Sequence, residues 1–273
     1  MVLVAGAGLI GFGAFHVLKL TRGLDDSILA TRQQEERFGA PTAFTPRPDG
    51  AIPADRMAAF LAVRDALEAP RSALVETFES MPLDRMDDEQ PEAMPFREKL
   101  GVMLSLGRSA MQLGPRISEF YRARDRAMLE RGIEMGEYAY IYTVAYYSWL
   151  GHDPSDGPRT DTREEAEGGS HEFRDMARKV TARIQADLTR ILANQLASLP
   201  EDTPDTWRRA LEAEIEAMRR EAGRPPWKDG LPDSVSASLA PYRDRLAMSY
   251  HPAVNPFELS RSRKRRALSY TSE

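Results

Sequence analysis

The feature that most constrains this chain is an N-terminal stretch without charged side chains. Residues 1–20 read MVLVAGAGLIGFGAFHVLKL, and Lys19 is the first charged residue. Twenty helical residues span about 30 Å, which is the thickness of the hydrocarbon core of a bilayer. We therefore predict a single transmembrane helix over residues 1–22.

The same stretch allows a second interpretation, a dinucleotide-binding fold. Gly6, Gly8 and Gly11 form the pattern G-x-G-x-x-G directly after the strand-like sequence MVLVA, as in the phosphate-binding turn of a Rossmann fold. Such a fold needs further parallel strands that are rich in Val and Ile. Between residues 33 and 132, Val and Ile occur only singly, in helix-like or loop-like sequence. NAD(P) binding is therefore the less favoured alternative, and we predict no cofactor.

Small residues on a membrane helix have another use, because they let a second helix approach closely. Four of them fall on one helical face. These predicted helix-packing residues are Ala7, Gly8, Gly11 and Ala14. His16 could ligate a pigment or haem metal, but antenna polypeptides have alanine four residues before their ligand, where this chain has Phe12. We interpret His16 as a side chain at the membrane interface.

The charges beside the apolar stretch bear on its orientation. A secretory signal peptide carries Lys or Arg before its apolar core, and this sequence has neither there, so we expect an uncleaved anchor. Lys19 and Arg22 follow the span. By the positive-inside tendency the rest of the chain is expected in the cytoplasm, with the periplasmic side as the open alternative.

The remaining sequence predicts an all-α fold, an irregular multi-helix domain with long extended linkers. Leu and Ala number 26 and 35, against 10 Val and 9 Ile, which favours helices over strands. We predict a short helix and an extended linker over residues 23–55 and a helical domain over residues 56–260, with polar insertions at 80–95 and 151–170. Residues 261–273 form a basic tail.

Two local expectations concern a helix break and the last residues of the sequence. Gly114 and Pro115 are typical of a helix stop followed by a helix start, so we predict one helix from Phe96 to Gly114 and another from Pro115 to Gly132. The ending from His251 onward shows no periodic apolar pattern. The sequence therefore gives no indication of core residues in this ending, although the predicted helical domain extends to residue 260.

A helix rich in tyrosine is predicted over residues 136–151, GEYAYIYTVAYYSWLG. Aromatic side chains surround it, so it needs cover on every side. It forms either the centre of the domain or a core helix with one face reserved for a partner, and both stay open. The partner-docking candidates are Tyr138, Tyr142, Tyr146, Tyr147 and Trp149.

Composition and motifs argue against several chemistries. With 37 basic and 42 acidic residues, the chain lacks the positive field of a general nucleic-acid binder. The absence of cysteine excludes thiolate ligands and a cysteine nucleophile. His152, Asp153 and Asp156 fit a surface turn better than a metal site, and Glu137 fits a helix start better than catalysis. We predict a non-enzyme without catalytic or metal-binding residues, and we identify no small-molecule substrate.

The tail contains a cluster of positive charges. Its members are Arg261, Arg263, Lys264, Arg265 and Arg266. Such a cluster is ordinarily a solvated tail. On a chain anchored in a bilayer it can instead lie on anionic head groups, and we take these residues as membrane-surface candidates.

In overall build the chain resembles accessory subunits that bridge rings and core in bacterial photosynthetic reaction-centre and light-harvesting supercomplexes. It also resembles supernumerary subunits of respiratory complexes. The resemblance implies a membrane-anchored structural subunit whose partners are other membrane-protein subunits and the bilayer, and it transfers no functional residues. The alternative is a membrane-tethered steric chaperone, similar to lipase-specific foldases, whose R-x-x-F-D-Y motif this sequence lacks.

Overall fold

The computed structural model describes residues 33–80, 96–157 and 170–260, with side chains described outside residues 96–112 and 170–177. Every regular element within these ranges is helical, so the predicted all-α fold is confirmed there. The predicted transmembrane helix over residues 1–22 lies outside the described residues, as does the basic tail. None of the helices within the described ranges combines the length and apolar composition needed to cross a bilayer.

The helices follow one another with short irregular connections. Residues 33–38 form α1. The longer helices are α2 (Ala54–Ala66), α3 (Glu68–Glu79), α4 (Phe96–Arg131), α5 (Met135–Tyr142), α6 (Ser170–Ala197) and α7 (Asp205–Arg220). Shorter helices complete the described chain: α8 (Asp233–Leu239), α9 (Arg243–Ser249) and α10 (Asn255–Glu258). Four single turns join them: the 3-10 turns Pro41–Ala43, Ala240–Tyr242 and Pro252–Val254, and the π-helical turn Thr143–Trp149 that continues α5.

Helix α5 lies at the centre of the packing. All eight of its residues are buried, as expected for a helix that is apolar on every side. Helices α2 and α3 pack along α4, α6 packs on α5 and α7, and α9 packs on α2. The tyrosine-rich helix is therefore the element around which the others are arranged.

The predicted break at Gly114 and Pro115 is wrong, because α4 continues through the proline over 36 residues. A proline inside a helix removes one hydrogen bond and costs about 3 kcal/mol. Beyond it, Phe120 and Met128 are buried in the core, and α2 and α3 pack along the same helix. Tertiary packing therefore outweighs the local stop signal.

Two glycines make the turn into α5 possible. Gly132 has φ +62°, and the amide of Ile133 after it donates to the Met128 carbonyl at 3.0 Å, which closes α4 in a Schellman-type end. At Gly136, a Cβ would lie 1.9 Å from the Pro41 carbonyl oxygen. The backbone of residues 39–53 thus approaches α5 more closely than any other residue type at position 136 would allow.

Residues 39–53, hereafter the linker, cross the surface of α5 and α6 without regular structure except one turn. Side chains of four helices bond its main-chain carbonyls. These bonds run from Asn194 to Thr42 (2.8 Å), from Gln195 to Arg47 (2.5 Å), from Trp207 to Pro48 (2.5 Å), from Ser234 to Asp49 (2.5 Å) and from Tyr140 to Gly50 (3.4 Å). The linker is therefore fixed by individual donors rather than by a backbone ladder.

Residues 249–260, hereafter the C-terminal segment, contribute to the core, although the sequence from His251 onward shows no periodic apolar pattern. All four residues of α10 are buried, as are Val254 and Leu259 on either side. Sequence periodicity missed this because Pro252 and Pro256 break the segment into single turns that carry no repeat. The segment begins at the end of α9, and its last residues accept hydrogen bonds from side chains of α4 and α6.

Candidate functional site

The C-terminal segment and the tyrosine-rich helix meet in one polar cluster inside the core. Five tyrosine hydroxyls of α5 and its π-helical turn form hydrogen bonds, and four of these bonds are made with three residues of the segment. They are Tyr138 to Glu258 Oε2 (3.0 Å), Tyr142 to Asn255 Oδ1 (3.0 Å), Tyr146 with Ser249 Oγ (2.6 Å) and Tyr147 to Asn255 Oδ1 (2.7 Å). Tyr140 instead bonds the linker.

The π-helical turn helps to place these hydroxyls. Its wider winding is marked by the bond from the Leu150 amide to the Ala145 carbonyl, five residues back, at 3.0 Å. The rings of Tyr142 and Tyr146 are 4.6 Å apart, and those of Tyr142 and Tyr147 are 5.7 Å apart. Burial raises the pKa of Tyr142 and of Tyr147 well above the usual range, so both hydroxyls stay protonated and donate.

Glu258 is the charged centre of the cluster. It is 1 % exposed and forms an ion pair with Arg64, whose side chain is fully enclosed. The Nε of Arg71 lies 3.7 Å from the same carboxylate. Burial lowers the pKa of Arg64, but Glu258 and the surrounding tyrosines more than offset this, so that its pKa is raised.

The guanidinium carbon of Arg64 also lies over two neighbouring aromatic rings, 5.3 Å from the centroids of both Tyr142 and Tyr146. At that distance the ring faces attract a cation. Arg64 additionally donates to the Ser249 carbonyl. One side chain of α2 therefore binds the C-terminal segment at both its beginning and its α10 helix.

Arg124 of α4 holds the far end of the segment. Its Nη1 donates to the carbonyls of Phe257, Glu258 and Ser260 at 3.2, 3.0 and 2.7 Å, while its Nε donates to Asp125 at 2.8 Å. Arg183 of α6 adds a bond to the Leu259 carbonyl at 2.9 Å. These guanidinium groups donate to carbonyls at the C-terminal end of α10 and just beyond it.

The same turn of α4 also binds the beginning of the described chain. Gln34 of α1 donates to the Asp125 carbonyl at 3.3 Å, and Arg37 donates to the Leu129 carbonyl at 3.1 Å. Residues 34 and 260 thus contact neighbouring residues in one turn of α4. In sequence, residue 34 follows the N-terminal segment and residue 260 precedes the basic tail.

The loop after the π-helical turn is tied to the segment through Asn255. Its amide nitrogen donates to the carbonyls of Pro154 (3.2 Å) and Asp156 (3.0 Å). The Asp156 carboxylate accepts from Tyr250 at 2.8 Å, and His152 stacks on Tyr250 with ring centroids 3.8 Å apart.

The three residues weighed as metal ligands therefore have other contacts. Asp153 accepts from the amide and hydroxyl of Ser155 at 2.7 Å each, which is a local turn of the Asx type. Among the residues that the structure describes, no group of three or more His, Asp or Glu side chains is arranged to hold a metal ion.

Glu137, the one carboxylate singled out in an apolar sequence, is buried. It forms a bidentate pair with Arg56, with Nε at 2.6 Å, and Arg56 also donates to the Gly132 carbonyl at 2.9 Å. The pair joins α2 to the start of α5. Glu134, three residues earlier, has its pKa raised to about 7 by burial and, next, by the charge of Glu137.

The partner-docking candidates divide into two groups. Tyr138, Tyr142 and Tyr146 are fully buried within the chain, whereas Tyr147 and Trp149 are partly exposed. Trp149 lies beneath the guanidinium of Arg243, 5.1 Å from the ring centroid. Docking of a partner on these residues stays a prediction. The helix-packing candidates Ala7, Gly8, Gly11 and Ala14, His16 and the basic cluster of the tail lie outside the described residues.

Sequence reasoning missed the arginines of the cluster, although a signal for them exists. Each occupies a core position of its helix at a spacing of three or four from apolar residues. Arg64 follows Phe60 by four, Arg71 follows Leu67 by four, and Arg124 follows Phe120 by four. An arginine within an apolar stripe predicts a buried partner. Glu258 and Asn255 gave no comparable signal.

No family model matches the chain, and the comparisons with curated proteins and with solved structures return no match either. The described geometry itself indicates what the cluster can do. Arg64 and Glu258 have no open approach, and the guanidinium groups are engaged by carbonyls and carboxylates of the same chain. The arrangement holds chain segments in place, and its central Arg64–Glu258 pair is enclosed by protein.

Proposed function

We propose that this protein is a non-enzymatic accessory subunit of a multi-subunit membrane complex. In this proposal residues 1–22 anchor it in the bilayer, and the helical domain stands on the cytoplasmic side as a rigid structural element. Neighbouring membrane-protein subunits are its partners.

The observation that carries the proposal is that residues 34 and 260, near the two limits of the described helical domain, contact the same turn of α4. Gln34 bonds Asp125 and Ser260 bonds Arg124. The described residues that lie nearest in sequence to the uncharged segment and to the basic tail are therefore close to each other. A hydrophobic span and a set of positive charges that leave from one region can engage the same bilayer together.

The energetics of such attachment support a fixed orientation. Insertion of an apolar helix is effectively irreversible, and each basic residue close to anionic lipid contributes about 1 kcal/mol. A single helix alone leaves the domain free to swing about its connection. With the tail bound beside it, the surface around α1 and the C-terminal end of α4 faces the membrane, and the opposite surface is presented to partners.

Site-directed fluorescence tests this orientation, because the chain has no cysteine and single cysteines can be labelled cleanly. Glu36→Cys places the label on α1, and Glu212→Cys places it on α7; both positions are exposed. In vesicles containing phosphatidylserine we expect lipid-borne quenchers to quench the label at position 36 much more strongly than that at position 212. Equal quenching, or stronger quenching at position 212, would refute the orientation.

Extraction and copurification test the anchor and the assembly. We expect the protein to stay in the membrane fraction after carbonate washing and to travel in fixed stoichiometry with other subunits in mild detergent. Replacing the five basic residues of the tail by Gln should weaken quenching at position 36 without releasing the protein. Release by carbonate would contradict the anchor, and purification without any stoichiometric partner would contradict the accessory role.

A further inference from the structure

A cleft, hereafter the linker cleft, lies between the linker, the start of α2 and one side of α5. Its volume is about 130 Å³, and it is partly open to solvent. An engineered protein cavity of about 150 Å³ holds benzene, so the linker cleft has room for a molecule of about six non-hydrogen atoms. The linker supplies one wall with residues 44–47 and 51–53, and α5 supplies the facing wall with Tyr140 and Ile141.

Most of the wall is apolar. Ile52, Tyr140 and Ile141 are buried, and the ring of Phe44 packs on that of Tyr140 with centroids 5.8 Å apart. The Tyr140 hydroxyl donates to the Gly50 carbonyl, so it is already occupied within the chain. The walls of the linker cleft therefore favour a ligand whose body is a compact hydrocarbon.

Arg56 is the residue of the wall that can supply a hydrogen bond to such a ligand. Its Nε and Nη2 bind the Glu137 carboxylate and the Gly132 carbonyl, and within the described residues no acceptor binds its Nη1. The side chain is 29 % exposed, so it is not sealed inside the protein. Because Glu137 holds the guanidinium at two nitrogens, the N–H donors of Nη1 are already oriented before a ligand arrives.

The charges near Arg56 indicate which kind of acceptor fits. Glu137 neutralises Arg56, and the carboxylates of Asp55 and Glu134 also act on it. The other cation in the wall, Arg47, already has an ion pair at the protein surface. An anionic ligand would therefore be repelled by nearby carboxylates. A cationic ligand would find Glu137 engaged by Arg56. A neutral acceptor avoids both costs.

We propose that the linker cleft binds a small neutral molecule with a compact apolar body of about five carbon atoms and one carbonyl oxygen. The body contacts Ile52, Ile141 and the ring of Tyr140, and the oxygen accepts from Nη1 of Arg56. A ligand with so few atoms binds weakly, so we expect a Kd in the millimolar range. The proposal rests on the linker cleft alone and does not depend on the membrane proposal.

The test uses the full chain in dodecyl maltoside, labelled with ¹³C in the δ1 methyl groups of isoleucine. Cyclopentanone is the ligand, and methylenecyclopentane, which has the same shape without the oxygen, is its matched control at equal aqueous concentration. We expect cyclopentanone to shift the signals of Ile52 and Ile141 saturably and at least about fivefold more tightly than the control. The signal of Ile215, on α7, should not move. No saturable shift, or equal affinity for both molecules, would overturn the proposal.

Two charged molecules of similar size test the neutral character of the site. Cyclobutanecarboxylate carries a negative charge, and cyclopentylammonium carries a positive charge. We expect each to bind at least about fivefold more weakly than cyclopentanone. If either charged molecule binds as tightly as the ketone, the assignment to a neutral ligand is wrong.

A variant that fills the linker cleft tests where the ligand binds. Ala51 lines the linker cleft and is only partly exposed, so Ala51→Leu should abolish the shifts caused by cyclopentanone. Ala43→Leu adds the same bulk at an exposed position of the linker that does not line the linker cleft, and it should bind like the parent. Unchanged affinity in Ala51→Leu would contradict the proposed site.

Arg56→Lys tests the hydrogen bond to the carbonyl oxygen. Lysine keeps a positive charge for Glu137 but has no second terminal nitrogen. We expect the variant to lose about fivefold in affinity for cyclopentanone and nothing for methylenecyclopentane. Unchanged affinity for the ketone in the folded variant would refute the contact with Arg56. If this variant does not fold, the comparison of Ala51→Leu with Ala43→Leu decides the site.

Hydrogen exchange tests whether the ligand lies between the linker and α5. The Gly50 amide donates to the Arg47 carbonyl, and movement of the linker away from α5 separates the two walls of the linker cleft. A ligand bound only to the closed form stabilises it by mass action. At ten times its Kd, cyclopentanone should slow exchange of the Gly50 amide about tenfold in the parent and not in Ala51→Leu. Unchanged exchange in the parent would contradict binding between these walls.

Discussion

Two segments of this protein have only short helical turns and lie against α5 and its π-helical turn: the linker (residues 39–53) and the C-terminal segment (residues 249–260). Both expose main-chain carbonyls that need donors. The linker receives mostly single neutral donors, such as Asn194 and Trp207, near the protein surface. The C-terminal segment receives guanidinium groups inside the core, above all from Arg64 and Arg124.

The difference between the two segments shows that the type of hydrogen-bond donor depends on how deeply the main-chain carbonyls are buried. An amide or indole nitrogen serves one carbonyl of the linker at a time, and solvent can replace it. Arg124, which is 1 % exposed, serves three carbonyls of the C-terminal segment at once. A buried guanidinium must in turn be neutralised, so Glu258 and Asp125 are required. The C-terminal segment should therefore respond to mutation far more strongly than the linker.

The largest effect is expected for Glu258→Gln. The change leaves Arg64 without its counter-charge in the core and Arg71 without its nearby carboxylate. Breaking a buried pair from one side costs about 3–5 kcal/mol of unfolding free energy, which urea titration can measure. Asp65→Asn, in the exposed pair with Arg245, is the control and should cost less than about 1 kcal/mol. A loss in Glu258→Gln as small as in the control would remove the distinction between buried and surface charges.

A somewhat smaller effect is expected for the closest contact of the linker. In Gly136→Ala the new methyl group meets the Pro41 carbonyl, so the linker must move away from α5. Overpacking of this kind costs about 2–3 kcal/mol in thermal or urea unfolding. The matched control is Gly157→Ala, whose Cβ would have its nearest neighbour at 3.5 Å. If both alanine variants unfold like the parent, the linker does not pack on α5 as described.

Arg124→Lys tests whether hydrogen bonds from one side chain to several carbonyls stabilise the fold independently of its positive charge. Lysine keeps the positive charge beside Asp125, but a single ammonium cannot reproduce the planar fork that serves several acceptors. We expect a loss of about 2 kcal/mol of unfolding free energy from carbonyls left unsatisfied. Arg126→Lys, whose pair with Glu130 is exposed, should change it by less than about 0.5 kcal/mol. Equal stability of the two variants would argue against the role of Arg124.

The smallest effect is expected in the linker's neutral bonds. Asn194→Ala removes one donor to the Thr42 carbonyl, which water can replace at this exposed position. The expected loss is about 1 kcal/mol or less. Arg190→Ala, at an exposed site on the same helix, controls for changes in helix propensity. If Asn194→Ala lost more unfolding free energy than Arg124→Lys, the linker would be more sensitive to mutation than the C-terminal segment, contrary to the expectation.

Much of the fold follows from sequence periodicity. The apolar residues of α2, α6 and α7 recur at helical spacing, which indicates where these helices lie. Helix α5 is recognisable instead because apolar residues surround it. The helix stop at Pro115 was wrongly predicted because packing on α2 and α3 is a long-range effect. The C-terminal segment was missed because its single turns have no period. Its anchors, Arg64 and Arg124, lie 194 and 134 residues away from Glu258, and only the fold brings them together.

Amide hydrogen exchange of the full chain tests most directly whether the C-terminal segment belongs to the core. The amides of Val254 and Ser260 and those of Ala43 and Gly50 each donate to a nearby carbonyl, so local bonding alone does not separate them. We expect Val254 and Ser260 to exchange with an opening free energy close to that of global unfolding, and the two linker amides at least about 2 kcal/mol below it. Exchange of Val254 and Ser260 as fast as that of the linker would contradict the account.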